Sequence, residues 1–313
     1  MKNDFPYPDF TFNLYTFNLT AQEDLFLPSY KGATFRGAFG YALRKTICTL
    51  PGKICQECLL YTTCVYPYIF EPSPETFKIN VPKRFQDLPR PFVLRPPRTK
   101  SRRILKSSPF NFELVLVGKT TDYLPYFIFT FNELGKFGLG KKRGKFDLIY
   151  VTDSVGNQIY DYKTHVIKDT GKVLSWKELV SEWKSPITLN FINPTRLKEE
   201  GKLITRPTFL QIIRSLISRI SLLSQFYCNQ PLTPDVKKLL SLASAVKTES
   251  THLTWYDWGR YSTHQQTNMK LGGFLGKITF AGELGPFLPF LVLGQYLHLG
   301  KSCTFGLGQY IIE

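Results

Sequence analysis

Hydrophobic and polar residues alternate along the chain with two different periods. The segment Phe10–Leu19 (FTFNLYTFNL) alternates with a period of two, which predicts a half-buried β-strand. In GATFRGAFGYALRKTI, the residues Phe35, Phe39 and Leu43 recur every four positions, which predicts a helix with one apolar face. A second amphipathic helix is predicted for FLQIIRSLISRISLLSQFY, whose apolar positions are Phe209, Ile213, Leu216, Ile220, Leu223 and Tyr227.

A longer pattern occurs twice in the chain. FELVLVGKTTDYLPYFIFTFNELGKFGLG (Phe112–Gly140) and KITFAGELGPFLPFLVLGQYLHLGKSCTFGLG (Lys277–Gly308) share a glycine, a later Leu-Pro, and then a Gly-Lys and a Gly-Leu-Gly. Each copy predicts a strand, a turn, an apolar helix and a glycine-rich loop. We align Gly135-Lys136 of the first copy with Gly300-Lys301 of the second. Internal repetition of this kind indicates duplicated structural units.

Two such copies predict an α+β fold of two tandem ferredoxin-like domains, each an antiparallel sheet with helices on one face. Closing strands are predicted at Lys145–Thr152 and Gln309–Ile312. We place the first domain at residues 1–165 and the second at residues 166–313. In the second domain, Thr233-Pro234 predicts the start of a shorter helix, with the threonine as its cap and the proline at the first helical position.

The composition favours a polyanionic partner. With 313 residues, of which 43% are hydrophobic, the chain is long enough for two folded cores. Its formal charge of +16 attracts polyanions, and nucleic acid is the usual one. Segment 83–106 has nine basic residues and one acidic residue, and we expect an exposed ribbon that contacts phosphates. No signal peptide or membrane-spanning apolar run is recognisable, so we expect a cytoplasmic protein without a membrane partner.

Four of the six cysteines are clustered within 17 residues: Cys48, Cys55, Cys58 and Cys64. Disulfides are rare in the cytosol, and the two-residue spacer between Cys55 and Cys58 lets two thiolates bind one tetrahedral ion. We therefore expect an insertion at about 48–64 that holds a structural zinc ion, with an iron–sulfur centre as the second choice. The alternative is a chance cluster of buried thiols.

The segment HLGKSCTFGLGQY, His298–Tyr310, resembles a phosphate-binding loop but does not fit the nucleotide motif. A P-loop needs four residues between its first glycine and Gly-Lys-Ser/Thr, and Gly294 precedes Gly300 by one residue too many. Glycines can instead let backbone N–H groups approach a phosphate, and a lysine adds a point charge. The alternative is that the glycines only allow tight turns.

One glycine-rich loop in each domain would suit a repeating phosphate chain. The expected phosphate contacts are the residues of these loops and their basic flanks: Gly300, Lys301, Ser302, Gly306, Gly308, Lys136, Lys141, Lys142 and Arg143.

The segment GGFLGKITFAGELGPFLPFLVLGQYLHLGKSCTFGLGQY resembles the glycine-rich signature of the RAMP superfamily of CRISPR-associated proteins. YKGATFRGAFGYALRKTIC with the cysteine cluster, FNELGKFGLGKKRGKF and DWGRYSTHQQTNMKLGGFLG are similar to segments of the endoribonucleases that cut precursor CRISPR RNA within its repeats. The resemblance implies cleavage without a catalytic cofactor, in which a 2′-hydroxyl attacks the adjacent phosphate and leaves 2′,3′-cyclic phosphate and 5′-hydroxyl ends. CRISPR repeat RNA is then the expected partner, with other effector subunits as further candidates.

Many relatives carry a catalytic histidine near the first helix, whereas this chain has no histidine before His165. In GRYSTHQ, we expect His264, Arg260 and Tyr261 to supply an acid or base and a charge stabiliser. His298 lies in an apolar stretch and is expected to pack in the core.

The start of the first helix matches the region where relatives keep active residues. There we assign Arg36 to catalysis and Lys31 to RNA binding. Two rival interpretations remain: a non-catalytic RAMP subunit that binds guide RNA in an effector complex, and a generic zinc-containing RNA-binding module. The latter would leave the paired glycine-rich loops unexplained.

Overall fold

The computed structural model describes residues 10–77, 88–180, 185–228, 230–262 and 267–313. The chain divides into two compact units. The amino-terminal unit is Phe12–Val173 with Phe226–Asn229, and the carboxy-terminal unit is formed mainly by Leu174–Gln225 and Gln230–Glu313. Among the described residues, no helix combines the length and apolar composition needed to cross a bilayer.

The amino-terminal unit contains the predicted strands and helices together with elements that the sequence did not predict. Its elements are β1 (Thr11–Ala21), β2 (Leu25–Phe26), α1 (Gly32–Ile47), α2 (Val65–Phe70), β3 (Phe92–Arg95), β4 (Arg103–Ile104), β5 (Pro109–Val117), α3 (Leu124–Phe137), β6 (Phe146–Thr152), β7 (Gln158–Asp161) and β8 (Val166–Ile167). A short strand, β9 (Val173–Ser175), lies where the two units meet in the sequence.

The main sheet of this unit has the strand order β3-β5-β1-β6-β7-β8, and its neighbouring strands are antiparallel. Helix α1 connects β1 to β3, and α3 connects β5 to β6. These elements form the βαββαβ arrangement of the ferredoxin-like fold, with β7 and β8 added at one edge. Outside this sheet, β2 pairs with β4.

Aromatic rings fill the core between the sheet and its two helices. The ring of Phe17 on β1 stacks on Phe112 of β5 at 4.8 Å, and Phe39 of α1 stacks on Phe127 of α3 at 4.9 Å. Such pairs add about 0.5–1.5 kcal/mol each beyond the area that they bury. The predicted apolar face of α1 is confirmed, since its members are fully buried: Phe35, Phe39 and Leu43.

The carboxy-terminal unit repeats the arrangement. Its elements are α4 (Trp176–Leu179), β10 (Ile187–Thr195), β11 (Leu197–Glu199), β12 (Lys202–Ile204), α5 (Phe209–Tyr227), α6 (Val236–Ala245), β13 (Lys247–Ser262), β14 (Thr267–Ala281), α7 (Leu288–Leu297) and β15 (Tyr310–Ile312). The sheet order β13-β14-β10-β15 is again that of a ferredoxin-like fold. The predicted tandem ferredoxin-like architecture is therefore confirmed.

Helices α5 and α7 of this unit are held by apolar burial. The predicted stripe on α5 is confirmed, because all its members are buried: Phe209, Ile213, Leu216, Ile220, Leu223 and Tyr227. Helix α7 is buried on nearly all sides. A Cβ at Gly294 would overlap the hydroxyl of Tyr310, which donates a hydrogen bond of 2.7 Å to the carbonyl oxygen of Leu291. Gly294 therefore makes room for a buried tyrosine.

Strands β13 and β14 form a hairpin that is longer than the rest of the sheet. They pair from Lys247 and Ala281 out to Ser262 and Thr267. The pairing of β14 with β10 ends at Phe274. The outer part of the hairpin therefore pairs only within itself among the described strands.

Two sequence predictions are corrected by the fold. The described part of segment 83–106 is not one exposed ribbon, because Phe92–Arg95 is the buried strand β3 and Arg95 contacts Glu113 at 2.9 Å. Residues 83–87 lie outside the described residues. Helix α6 begins at Val236 rather than Pro234, because the side chain of Asp235 caps it by accepting a bond of 3.0 Å from the amide of Lys238.

Candidate nucleic-acid interface

The glycine-rich loop of each unit packs its backbone against the segment that follows the first strand of its sheet. In the amino-terminal unit, Gly140 has φ 82° and a Cβ there would overlap the carbonyl oxygen of Phe26. The next amide, that of Lys141, donates a hydrogen bond of 3.1 Å to the same oxygen. Glycine is needed here both for its left-handed backbone and for the close approach.

The carboxy-terminal unit repeats this contact. Gly300 has φ 87°, a Cβ there would overlap the carbonyl oxygen of Arg196, and the amide of Lys301 donates to that oxygen at 2.8 Å. We call each arrangement a glycine clamp. The predicted alignment was wrong at this point: Gly140-Lys141, and not Gly135-Lys136, corresponds to Gly300-Lys301. Gly135 and Lys136 lie within α3, whereas Gly300 and Lys301 follow α7.

The other glycines of the second loop also serve its own fold. Gly308 has φ 77° and lies against the carbonyl oxygen of Leu299, and its amide donates to Pro194 at 3.0 Å. Ser302 and Gly306 have left-handed φ of 64° and 79° at the two ends of a short 3-10 turn. Tight turns thus explain much of the glycine content, while the side chain of Lys301 is exposed.

His298, at the carboxyl end of α7, is fully buried and its Nδ1 lies 3.1 Å from the carbonyl oxygen of Leu307. Its predicted packing role is confirmed.

A basic surface surrounds Phe26 in the amino-terminal unit. The ammonium of Lys142 lies 4.6 Å from the centre of the Phe26 ring, and the guanidinium of Arg103 lies 5.7 Å from it. Two exposed segments carry the cations. The first contains β4, and the second follows the first glycine clamp. We call them the Phe26 surface: Arg98, Lys100, Arg102, Arg103, Lys106, Lys141, Lys142, Arg143 and Lys145.

Backbone contacts fix these cations to the fold. The amide of Leu27 donates to the carbonyl oxygen of Arg102 at 2.8 Å, next to the β2–β4 pairing. Asp24 accepts from the guanidinium of Arg103 at 2.5 Å and from the amide of Lys106 at 2.9 Å. The bond from Arg103 is the main cause that lowers the pKa of Asp24. One carboxylate thus orders the segment while most of its cations stay exposed.

Lys31 was predicted as an RNA contact, but its side chain is buried. Its ammonium donates to the carbonyl oxygen of Thr99 at 2.6 Å and to that of Ser29 at 3.3 Å. Burial lowers the pKa of this amine. Lys31 therefore joins the start of α1 to the basic segment, and the exposed side chains of that segment form the surface.

Arg36 lies on α1 with its guanidinium 3.8 Å from the centre of the Phe70 ring. This cation–π contact orients the group. Lys136, a predicted RNA contact, is exposed on α3 and pairs with Glu133 at 2.6 Å. Hydrogen bonding to Glu133 raises the pKa of Lys136.

Two of the remaining catalytic candidates lie on the long hairpin. Arg260 and Tyr261 belong to β13, opposite Met269 and Asn268 of β14. His264 lies outside the described residues.

The four clustered cysteines are free and line one cavity, together with Arg44 and Tyr66 among others. Burial raises the pKa of Cys55 and of Cys64. Within the described ranges, no group of three or more His, Cys, Asp or Glu side chains is spaced to hold a metal ion. Four thiolates are a ligand set that structural zinc sites use. The zinc ion therefore remains a prediction from the sequence, and the spacing of these side chains does not test it.

Sequence reasoning missed two residues at these contacts. Phe26 and Arg196 follow the first strand of each sheet, where no motif distinguishes them. Arg196 is 9% exposed, and its guanidinium donates to the carbonyl oxygen of Gly272 at 2.6 Å.

Comparisons with known proteins agree with this architecture. A family model described as an N-terminal domain matches residues 10–172, and the model of the CRISPR-associated endoribonuclease Cas6 matches residues 189–310. An uncharacterized protein of Archaeoglobus fulgidus is 23% identical over 295 residues, which is 92% of this chain and 93% of that protein.

Several solved structures share the fold. A Cas6 product complex has a TM-score of 0.58 at 15% identity and covers 96% of this chain and 100% of that one. A Thermus thermophilus Cas6 has a TM-score of 0.56 at 14% identity and covers 97% of this chain and 99% of that one. A chain of a partial Cas6-RT-Cas1–Cas2 complex has a TM-score of 0.58 at 14% identity, over 97% of this chain and 46% of that one.

The two units have the tandem ferredoxin-like fold of these solved Cas6 structures, with a glycine-rich loop before β6 and before β15. Within this fold, residues 189–310 match the family of CRISPR-associated Cas6 endoribonucleases, and the chain is thus similar to RAMP-type endoribonucleases.

The glycine clamp predicts a stability cost for Gly300→Ala, because a Cβ would overlap the carbonyl oxygen of Arg196. We expect the free energy of unfolding to fall by about 2 kcal/mol or more, measured by denaturant titration. Gly201→Ala is the matched control, since Gly201 has φ 82° and no atom near its Cβ position. Equal losses in the two variants would contradict the clamp.

The Phe26 surface predicts that Lys142→Ala weakens RNA binding and lowers the salt slope of log K by about 1, because one phosphate contact is lost. Binding of labelled repeat RNA across a salt series measures both quantities. Lys168→Ala is the control, since this exposed lysine follows β8 at the sheet edge. The prediction that the Phe26 surface binds RNA would be rejected if both variants gave the wild-type slope.

Proposed function

We propose that this protein cuts precursor CRISPR RNA within its repeats without a metal ion. A 2′-oxygen forms a bond to the adjacent phosphorus, and the bond from that phosphorus to the 5′-oxygen breaks. A base removes the 2′-hydroxyl proton and an acid protonates the leaving 5′-oxygen, so the products carry 2′,3′-cyclic phosphate and 5′-hydroxyl ends. Proton transfer by positioned side chains contributes about 10²–10⁴-fold to the rate.

The Phe26 surface is the observation that carries this proposal. Its cations are exposed, yet backbone pairing holds their segments in place through Leu27 and Lys141. An ordered row of cations can hold a phosphate chain in register before any base is contacted. Because residues 189–310 match the Cas6 endoribonuclease family, we take this phosphate chain to be that of the repeat RNA.

The proposed chemical roles differ among the candidates. Arg36 cannot serve as a base because a guanidinium stays protonated, so its role would be to stabilise the charge that develops on the phosphate. His264 and Tyr261 are proposed to transfer protons. Lys31 is buried and would position the basic segment rather than touch the RNA.

A second candidate function is a non-catalytic subunit that retains guide RNA. The lack of a histidine before His165 favours it, and so does the burial of Lys31 at the start of α1. We also propose that the protein associates with further CRISPR proteins, because one solved chain of this fold comes from a Cas6-RT-Cas1–Cas2 complex.

Cleavage in EDTA tests the activity. We expect labelled repeat RNA to be cut at a discrete site, and a single 2′-deoxy substitution at that site to block cutting. His264→Ala should slow cleavage about 10²–10⁴-fold with unchanged binding, because proton transfer is lost. His252→Ala, an exposed histidine on β13, is the control. Tight binding without cutting in all repeats tried would favour the non-catalytic subunit.

We also propose that Cys48, Cys55, Cys58 and Cys64 bind one structural zinc ion. The support is that all four line one cavity and none is in a disulfide. Four thiolates would close the coordination shell, so the ion would stabilise the segment between α1 and α2.

Elemental analysis should therefore find about one zinc ion per chain, and Cys55→Ser/Cys58→Ser should lose it. The thermal midpoint of the wild type should fall on chelation, because the binding energy of the ion is lost. Cys303→Ser is the control, since Cys303 is buried in the other unit. Metal-free wild-type protein that melts normally would contradict the site.

A further inference from the structure

An exposed tryptophan on the long hairpin is held in one orientation. Trp255 is 38% exposed, although it is one of the largest apolar side chains of the carboxy-terminal unit. Its indole N–H donates a hydrogen bond of 3.0 Å to the carboxylate of Asp257, two residues along the same strand. This bond fixes the ring without burying it.

Gly272, on the partner strand, provides the space for this arrangement. It pairs directly with Asp257, and a Cβ at this position would overlap the carboxylate of Asp257 and come within 2.7 Å of the Trp255 ring. The ring therefore lies over a position that has no side chain. The absence of a Cβ lets ring and carboxylate lie close to the strand.

The backbone below the ring is tied to the second glycine clamp. The carbonyl oxygen of Gly272 accepts from the guanidinium of Arg196, whose own carbonyl oxygen accepts from Lys301. Arg196 is nearly buried, so it links the hairpin to the end of β10. A ring on this support is oriented before any ligand arrives.

We propose that Trp255 is a stacking platform for one unpaired base of the bound RNA. This inference rests on the proposed function and adds how the RNA is recognised. Every nucleobase has a flat π-face that stacks on an aromatic side chain, and such stacking is tolerant of sequence. A pre-oriented ring loses little conformational freedom when a base binds.

Charge favours RNA over an aromatic protein segment as the occupant. The chain carries a formal charge of +16, and the exposed side chain of Lys301 belongs to the loop that Arg196 holds. An exposed ring on a strongly basic chain suits RNA, because cations contact phosphates while an aromatic ring stacks on a base.

The test uses the full-length protein and repeat RNAs in which each unpaired base in turn is replaced by the fluorescent base 2-aminopurine. We expect the wild type to quench one position on binding. Trp255→Ala should abolish that quenching and weaken binding by about 5- to 150-fold, which corresponds to the loss of one base stack. Trp255→Phe should retain part of both effects.

A matched glycine pair separates stacking from general damage to the hairpin. Gly272→Ala should displace the ring and reduce quenching, whereas Gly259→Ala on the same hairpin should behave as wild type, since nothing lies near its Cβ position. Circular dichroism checks that each variant is folded.

The outcomes distinguish this inference from the proposed function. If Trp255→Ala binds and quenches as the wild type does, the platform is wrong while cleavage can still proceed. If the wild type neither binds nor cuts any repeat RNA, the proposed function is wrong. If Trp255→Ala binds RNA as the wild type does but loses binding to a protein partner, the occupant is a protein segment and the inference is overturned.

Discussion

Two carbonyl oxygens, those of Phe26 and Arg196, each receive the backbone of a glycine-rich loop at a distance that no side chain would allow. The contact joins the segment after the first strand of each unit to the segment before the strand that follows its second sheet-packed helix, which is β6 in one unit and β15 in the other. In both units it brings a lysine to the surface directly beside the closed backbone. The glycines thus serve the fold first, and the cations that follow them are positioned as a result.

The two clamps are followed by different side chains. After Gly140 come lysines and an arginine, and their segment faces a second basic segment across Phe26. After Gly300 there is a single lysine, and the carbonyl below it belongs to an arginine that reaches the long hairpin. The glycine clamp therefore adjoins a basic surface in the amino-terminal unit. In the carboxy-terminal unit it is linked through Arg196 to the hairpin that carries Trp255.

The sequence patterns predicted α1 and α5 because a long amphipathic period is a local signal. They predicted the repeated unit because a Leu-Pro dipeptide marks the start of both α3 and α7. They misplaced the first clamp, because the dipeptide Gly135-Lys136 matches Gly300-Lys301 in sequence but lies within α3, five residues before Gly140-Lys141. Strand β3 was missed because its four residues lie among prolines and arginines. The burial of Lys31 depends on Thr99, a contact between distant segments that has no local signature.

Among the described strands, the pairing of the hairpin β13–β14 with the rest of the sheet ends at Phe274. Two strands paired only with each other are marginally stable in water, so the outer hairpin opens at a lower free energy than the core beneath it. Its amides should exchange with solvent hydrogen much sooner than those of β10 and α7. A ligand that binds this surface lowers the population of the open hairpin while the folded core stays as it is, and the binding would appear as slowed exchange confined to the hairpin.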